Sequence, residues 1–309
     1  MSFSAEVKNE LARVAGENDC CCAAELAALI RMGGAMVIGG NATLGINFTS
    51  ENAAVTRKVL SLLKRSSHVK TEIVVTRRRR LKKNNTYQVR VVPAPGVKVL
   101  LSSLGIMRDD GLNVHSDSSI LRKVCCRRAY LRGAFLGGGS VNRPEGSYHL
   151  ELVTSNIELA KSLVKIMKSL NLPGRLTDKK DSYIVYLKEG NAITSFLQII
   201  GAHNGLLTFE NVRVVKDMRN QVNRLVNCET ANLQKTVNAA VRQVESIRII
   251  ERQLGLDKLP ATLREVAEAR LVLPEATLSE LAEALEGRVG KSGINHRLRK
   301  LGEIAESLE

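Results

Sequence analysis

The segment ELAALIRMGGAMVIGG at 25–40 is echoed 105 positions downstream by YLRGAFLGGGSVN at 130–142. Both run from apolar helical residues into glycines and then into strand-like sequence. A repeat of this kind constrains the fold more than any single motif, because one structural unit must be built twice. At the same offset FTS at 48–50 falls on VTS at 153–155, and each is followed by an amphipathic stretch, AAVTRKVLSLLKRS in the first copy and IELAKSLVKIMKSL in the second. Strand pairs come next, TEIVVTRRRR with TYQVRVV, then GRLTDKK with YIVYLKE. A shorter second hairpin drops the offset to 96, placing Tyr87 on Tyr183 and Leu104-Gly105 on Ile200-Gly201. Each copy reads helix, hairpin, helix, hairpin, helix.

The expected fold is therefore α+β, with two αββαββα halves packed as a pseudo-dimer and an all-α domain behind them. The glycine-ended helices are the elements poor enough in bulk to pack backbone to backbone at the seam. The boundaries expected are an N-terminal amphipathic helix within 1–22, a first half at 23–110, a linker at 111–127, a second half at 128–205, a linker at 206–228 and a terminal domain at 229–309. Phe3, Val7 and Leu11 carry the apolar face of the first helix, which lacks the pattern of a signal peptide. The longest apolar run, from Leu26 to Gly40, is broken by Arg31 and by glycines, so no membrane span is expected.

Charge points to a polyanionic partner. The net charge is +15, and a surface that basic attracts nucleic acid in a salt-dependent way. Residues 1–227 hold 34 Lys and Arg against 18 acids, whereas 228–309 hold 12 against 13. Aromatic residues make up 3% with no Trp, which argues for duplex DNA over single strands read by stacking. Arg77, Arg78, Arg79, Arg80, Lys82 and Lys83 fall on the first copy's second hairpin as candidate phosphate contacts. A phosphate-cradling loop is not expected at Gly137 to Gly139, since Ser140-Val141 follows where a P-loop needs Lys-Ser or Lys-Thr. The cysteines, at 20, 21, 22, 125, 126 and 228, form no C-x-x-C pair and meet no histidine at ligand spacing. Adjacent cysteines do not readily turn both side chains to one tetrahedral ion, so the expectation is free thiols in a reducing cytoplasm, with no metal and no cofactor.

From about Thr230 the pattern becomes helical. Leu233, Val237, Ala240, Val244, Ile247 and Leu254 form an apolar stripe, and a short helix TLREVAEARL follows Pro260-Ala261. In TLSELAEALEGRVGKSGINHRLRKLGEIAESL, Thr277 can cap a helix with Leu278, Leu281, Ala282 and Leu285 inward. Gly287 breaks it, and Ser292 can cap a second helix with Ile294, Leu298 and Leu301 inward. Two short helices joined by a glycine-containing turn read as a helix-turn-helix. Between Arg288 and Lys300 there are five cations, Arg288, Lys291, Arg297, Arg299 and Lys300, and no acid. Lys291, Ser292 and Asn295 are placed to reach base edges, and Arg297, Arg299 and Lys300 to grip phosphates.

The duplicated glycine-ended helices resemble the motif of the LAGLIDADG homing endonucleases over roughly 23–205. That resemblance implies an acid near each motif's end that holds a divalent metal over the scissile phosphates. In LAALIRMGG and LRGAFLGGG the corresponding positions are Gly33 and Gly138. Both carboxylates are missing, so no catalytic residue is expected. A degenerate pair of this kind followed by a helix-turn-helix ending in KSGINHRLRKL, with MSFSAEVKNELAR at the start, resembles the WhiA family from end to end. The resemblance implies a non-catalytic, nucleoid-associated bacterial DNA-binding regulator acting on promoters in sporulation, or in cell division and chromosome segregation. It also implies a WhiB-type iron–sulfur partner in actinobacterial relatives. A metal-dependent endonuclease lacks its ligands here, and an intron-RNA maturase on the same scaffold has no need of the terminal helices.

Overall fold

The computed structural model describes residues 2–16, 18–77, 85–109, 111–113 and 119–308. The chain divides into two units, Met1–Lys216 and Asp217–Glu309. In the first, α1 (Phe3–Leu11) buries Phe3, Val7 and Leu11, the expected face. The first half then runs α2 (Asp19–Gly33), β1 (Gly34–Ile38), β2 (Leu44–Ser50), α3 (Ala53–Ser66), β3 (Thr71–Arg77), β4 (Asn85–Val91) and α4 (Pro95–Ser103). A two-residue pair, β5 (Met107–Arg108) and β6 (Gly111–Leu112), closes it. The second half repeats the order with α5 (Val124–Gly138), β7 (Gly139–Val141), β8 (Leu150–Thr154), α6 (Ile157–Lys168), β9 (Arg175–Lys179), β10 (Ser182–Leu187) and α7 (Gly190–Ile200). The two sheets have equivalent antiparallel orders, β1-β2-β4-β3 and β7-β8-β10-β9. The expected αββαββα duplication is the fold of this unit.

Local chemistry is duplicated with the topology. Asn52 caps α3 by accepting from the Ala54 and Val55 amides, and Asn156 caps α6 by accepting from those of Glu158 and Leu159. Helices α2 and α5 end at Gly33 and Gly138, the two positions matched by the 105-residue offset. Neither is amphipathic in the ordinary sense, because each is covered all round: residues 24–30 of α2 and 129–136 of α5 are buried.

The α2–α5 crossing uses glycine for close approach. A Cβ built on Gly133 would collide with the Glu25 carbonyl oxygen and lie 2.9 Å from the Ala28 Cβ, and one on Gly137 would lie 2.7 Å from the Met32 Cβ. Beside this contact sits Glu25, fully buried, with its carboxylate 2.9 Å from the Arg132 Nη2 and 3.5 Å from the Lys58 Nζ. Lys58 also donates to the Val14 carbonyl, and Arg132 donates to that of Ile200 at 3.4 Å. One carboxylate thus joins α2, α3 and α5.

Helix α8 (His203–Gln253) is 51 residues long and begins with the Glu10 carboxylate accepting from the Asn204 and Gly205 amides at 2.7 and 2.9 Å. The stretch 206–228, expected as a linker, lies inside this helix. The apolar stripe expected on it divides: Leu233 and Val237 are exposed, while Ala240 and Ile247 are buried, joined by Ile250, which the stripe did not include. The second unit adds α9 (Ala261–Val272), α10 (Leu278–Ala284) and α11 (Lys291–Glu306), which close on Ile247, Ile250, Leu263, Val266, Leu281, Ile294, Leu298 and Leu301. Arg270 is buried at the α9–α10 connection, donating to the carbonyls of Leu273, Pro274 and Ala276, and burial lowers its pKa from the ordinary guanidinium value. No described helix is long and apolar enough to cross a membrane.

Three outcomes follow for stability. Glu25→Ala leaves Arg132 and Lys58 buried without their counter-charge, and should cost about 3–5 kcal/mol in denaturant unfolding of the first unit. Gly133→Ala forces the helices apart and should cost about 1–3 kcal/mol or more. Gly302→Ala, where a Cβ meets nothing within 4 Å on α11, should instead gain up to about 1 kcal/mol.

Candidate nucleic-acid interface

Helix α10 starts with a complete capping box: the Thr277 side chain accepts from the Glu280 amide and the Glu280 carboxylate accepts from the Thr277 amide. These bonds hold the Glu280 carboxyl below its ordinary range. The helix is stopped by left-handed backbone at Glu286 (φ +55°) and Gly287 (φ +68°), after which the chain reaches Gly290, the N-cap of α11. Ser292 is not the cap, as expected from sequence, but the second residue of the helix. Side-chain capping gives way to a glycine whose extended backbone opens the first turn without covering it.

Helix α11 is two-faced. Ile294, Leu298, Leu301 and Ala305 point into the core of the unit. Ser292, Asn295, His296 and Arg299, spaced i, i+3, i+4 and i+7, share the opposite side and are all exposed, with Lys291 and Lys300 exposed beside them. His296 is a residue the sequence reading passed over, although its spacing from Ser292 and Arg299 puts it on the same stripe. Two of the cations expected to bind DNA are engaged within the protein. Arg288 lies in the turn, paired with Glu286, and Arg297 is half-buried with its Nη1 donating to the Thr262 carbonyl of α9 at 3.3 Å. Arg297 therefore anchors α11 on α9.

In the first unit Arg77 stands exposed at the end of β3. Arg78, Arg79, Arg80, Lys82 and Lys83 lie outside the described residues. Nearby, a cleft of about 1360 Å³ opens between α1, α3 and β4, lined by Lys8, Arg13, Arg57 and Arg65 with Glu51. No sequence motif marked it, because its cations come from helices 40 or more positions apart. Lys8 stands over the Phe135 ring at 5.9 Å, and burial pushes its ammonium down to about 8.

At the motif ends the geometry is closed to a carboxylate. A Cβ on Gly33 would lie 2.8 Å from the Phe48 ring, and one on Gly138 would lie 2.7 Å from the Val153 carbonyl oxygen. Glu151, on β8, is held by Ser140 at 3.1 Å and His149 at 3.2 Å.

One sequence expectation is overturned. Adjacent cysteines were expected not to converge, yet Cys20, Cys21, Cys125 and Cys126 bring four sulfurs within 4.8 Å of one another. The spacing argument failed because it considered each pair alone, whereas the helix crossing sets one pair against the other. Burial and neighbouring sulfurs push the Cys21 thiol up to about 11 and that of Cys126 up to about 12, while a hydrogen bond from Cys21 lowers Cys125.

Three family models match consecutive parts of the chain: the WhiA N-terminal LAGLIDADG-like domain over 19–107, the WhiA LAGLIDADG-like domain over 127–219, and the WhiA C-terminal helix-turn-helix domain over 222–305. A "Probable cell division protein WhiA" of Desulforamulus reducens is 52% identical, covering 100% of this chain and 96% of its own. A protein of the same name from Alkaliphilus metalliredigens is 48% identical over 99% and 98%. The crystal structure of full-length WhiA from Thermotoga maritima aligns at a TM-score of 0.62 with 28% identity, over 99% of each chain. With its duplicated helices, its terminal helix-turn-helix and relatives matched from end to end, the chain belongs to the WhiA family.

Proposed function

We propose that this chain is a non-catalytic, nucleoid-associated DNA-binding regulator whose α11 enters the major groove at promoters. The observation that carries the reading is the two-faced α11. Its apolar residues are consumed by the core, and an acid-free stripe of Ser292, Asn295, His296 and Arg299 is left to solvent. Asn295 has the amide geometry to pair with adenine, while Lys291, Arg299 and Lys300 supply point and fork charges for phosphates and guanine. The first unit, on this reading, adds sequence-independent attraction through Arg77 and its neighbours in the sequence, and performs no hydrolysis, since Gly33 and Gly138 offer no metal ligand. The relatives are named as probable cell division proteins, which supports a role in cell division here; sporulation, and a WhiB-type partner in actinobacteria, are the finer roles this reading includes.

The test is to incubate the purified chain with sheared DNA from its own genome, with Mg²⁺ at moderate salt, and to sequence retained fragments and their ends. Enrichment of a few upstream regions without new ends is expected. Discrete new ends, or no enrichment, would overturn the reading. With Lys291, Arg299 and Lys300 as the phosphate contacts of α11, the dependence of log K on log salt should carry roughly −2.7 from this helix, and Arg299→Ala should reduce the slope by about 0.9 on every sequence. Asn295→Ala should cost about 1–3 kcal/mol on the preferred sequence and little on others. Arg297→Ala should lower the thermal midpoint of the second unit and leave the salt slope unchanged.

A further inference from the structure

Cys20 and Cys21 are the second and third residues of α2, and Cys125 and Cys126 are the second and third residues of α5. The offset of 105 that relates the two halves carries one pair onto the other. Their sulfurs all lie within 4.8 Å of one another, with Cys21 and Cys126 buried and Cys20 and Cys125 half-buried. We propose that these four thiols form a tetrathiolate site for one soft divalent cation of the Zn²⁺ class, shared equally by the two halves and binding the start of α2 to the start of α5.

The distances suit a single ion. A tetrahedral site with Zn–S near 2.3 Å sets its sulfurs about 3.8 Å apart, so no pair here needs to close by more than about 1 Å. A multi-iron cluster spreads its thiolates over several metal atoms and needs a wider set. Two neighbours in one helix turn point about 100° apart, which rules out either pair binding an ion alone. Two such pairs facing each other across a crossing supply four directions, as a tetrahedron requires. The surroundings suit the charge as well. Four thiolates around a divalent ion carry two negative charges, and two helix N-termini face them. The N-cap residues, Asn18 and Lys123, make no side-chain capping bond, so no capping side chain stands between these helix starts and the sulfurs. Asp19, the one acid in these two first turns, is drawn to Arg65 at 2.8 Å. Loading releases the thiol protons to solvent and changes no oxidation state. Cys22 packs against Gly16 and Cys228 is exposed on α8, so neither belongs to the set.

The test uses the full-length chain, untagged and kept reduced. Metal analysis of the purified protein should return one equivalent of zinc per chain. Exchange with Co²⁺ should give the intense visible bands of a tetrahedral site and a sulfur-to-cobalt charge-transfer band in the near ultraviolet. Cys20→Ser with Cys125→Ser should abolish both readings, while Cys22→Ser with Cys228→Ser should keep both. Wild-type protein needs no variant to fold for the cobalt spectrum, so the proposal is exposed even if the serine variants are unstable. Metal-free protein with an octahedral or absent cobalt spectrum would overturn it. So would a disulfide between α2 and α5 in freshly prepared protein, detected by mass spectrometry, which would assign the four sulfurs to redox pairing instead.

Discussion

The approach of α2 to α5 is the constraint on which the first unit depends. Two fifteen-residue helices, buried all round, cross where Gly133 and Gly137 let backbone meet backbone. Each sheet is hung from the glycine end of one of these helices, so the crossing fixes where the sheets diverge. The same contact brings a buried carboxylate, Glu25, to two cations that belong to different elements, α3 and α5. Buried charge of this kind contributes little net stability, but it penalises any other register of the helices. Close packing selects the distance between them, and the ion triad selects how far one slides along the other.

The second unit solves a different problem with fewer residues. Its core is assembled from short helices that could not persist alone, and specific polar devices hold their ends. The capping box at Thr277 starts α10, left-handed backbone at Glu286 and Gly287 ends the turn, and buried Arg270 gathers the carbonyls left over where α9 gives way to α10. Arg297 spends its charge on Thr262. The stripe on α11 is thus presented by a rigid frame, and the cations that build the frame are distinct from those that face solvent.

Much of this was legible in the sequence, for identifiable reasons. The repeat offset survives because topology and capping chemistry were both duplicated, down to Asn52 and Asn156. The helix-turn-helix was legible because Thr277, Gly287 and the apolar spacing are local signals. What escaped notice was non-local or misread. The stretch 206–228 reads as a connector from its change of composition, although no glycine or proline occurs between Gly205 and Gly255 to stop a helix. The four cysteines could be excluded only while each pair was considered apart from the crossing that joins them. Arg297 looked like a solvent-facing cation because nothing in the sequence announces that the Thr262 carbonyl stands within its reach.

The closed space around Gly138 limits what a single substitution can add there. One codon change installs an acid wherever a pocket already stands open for its side chain. Here the Val153 backbone has settled into the room a side chain would need. An aspartate introduced here would meet a strand, not a vacancy, and could be seated only if that strand and its sheet moved first. Seating a metal ligand at this position is therefore more than a one-residue problem, because backbone as well as side chain would have to be rebuilt.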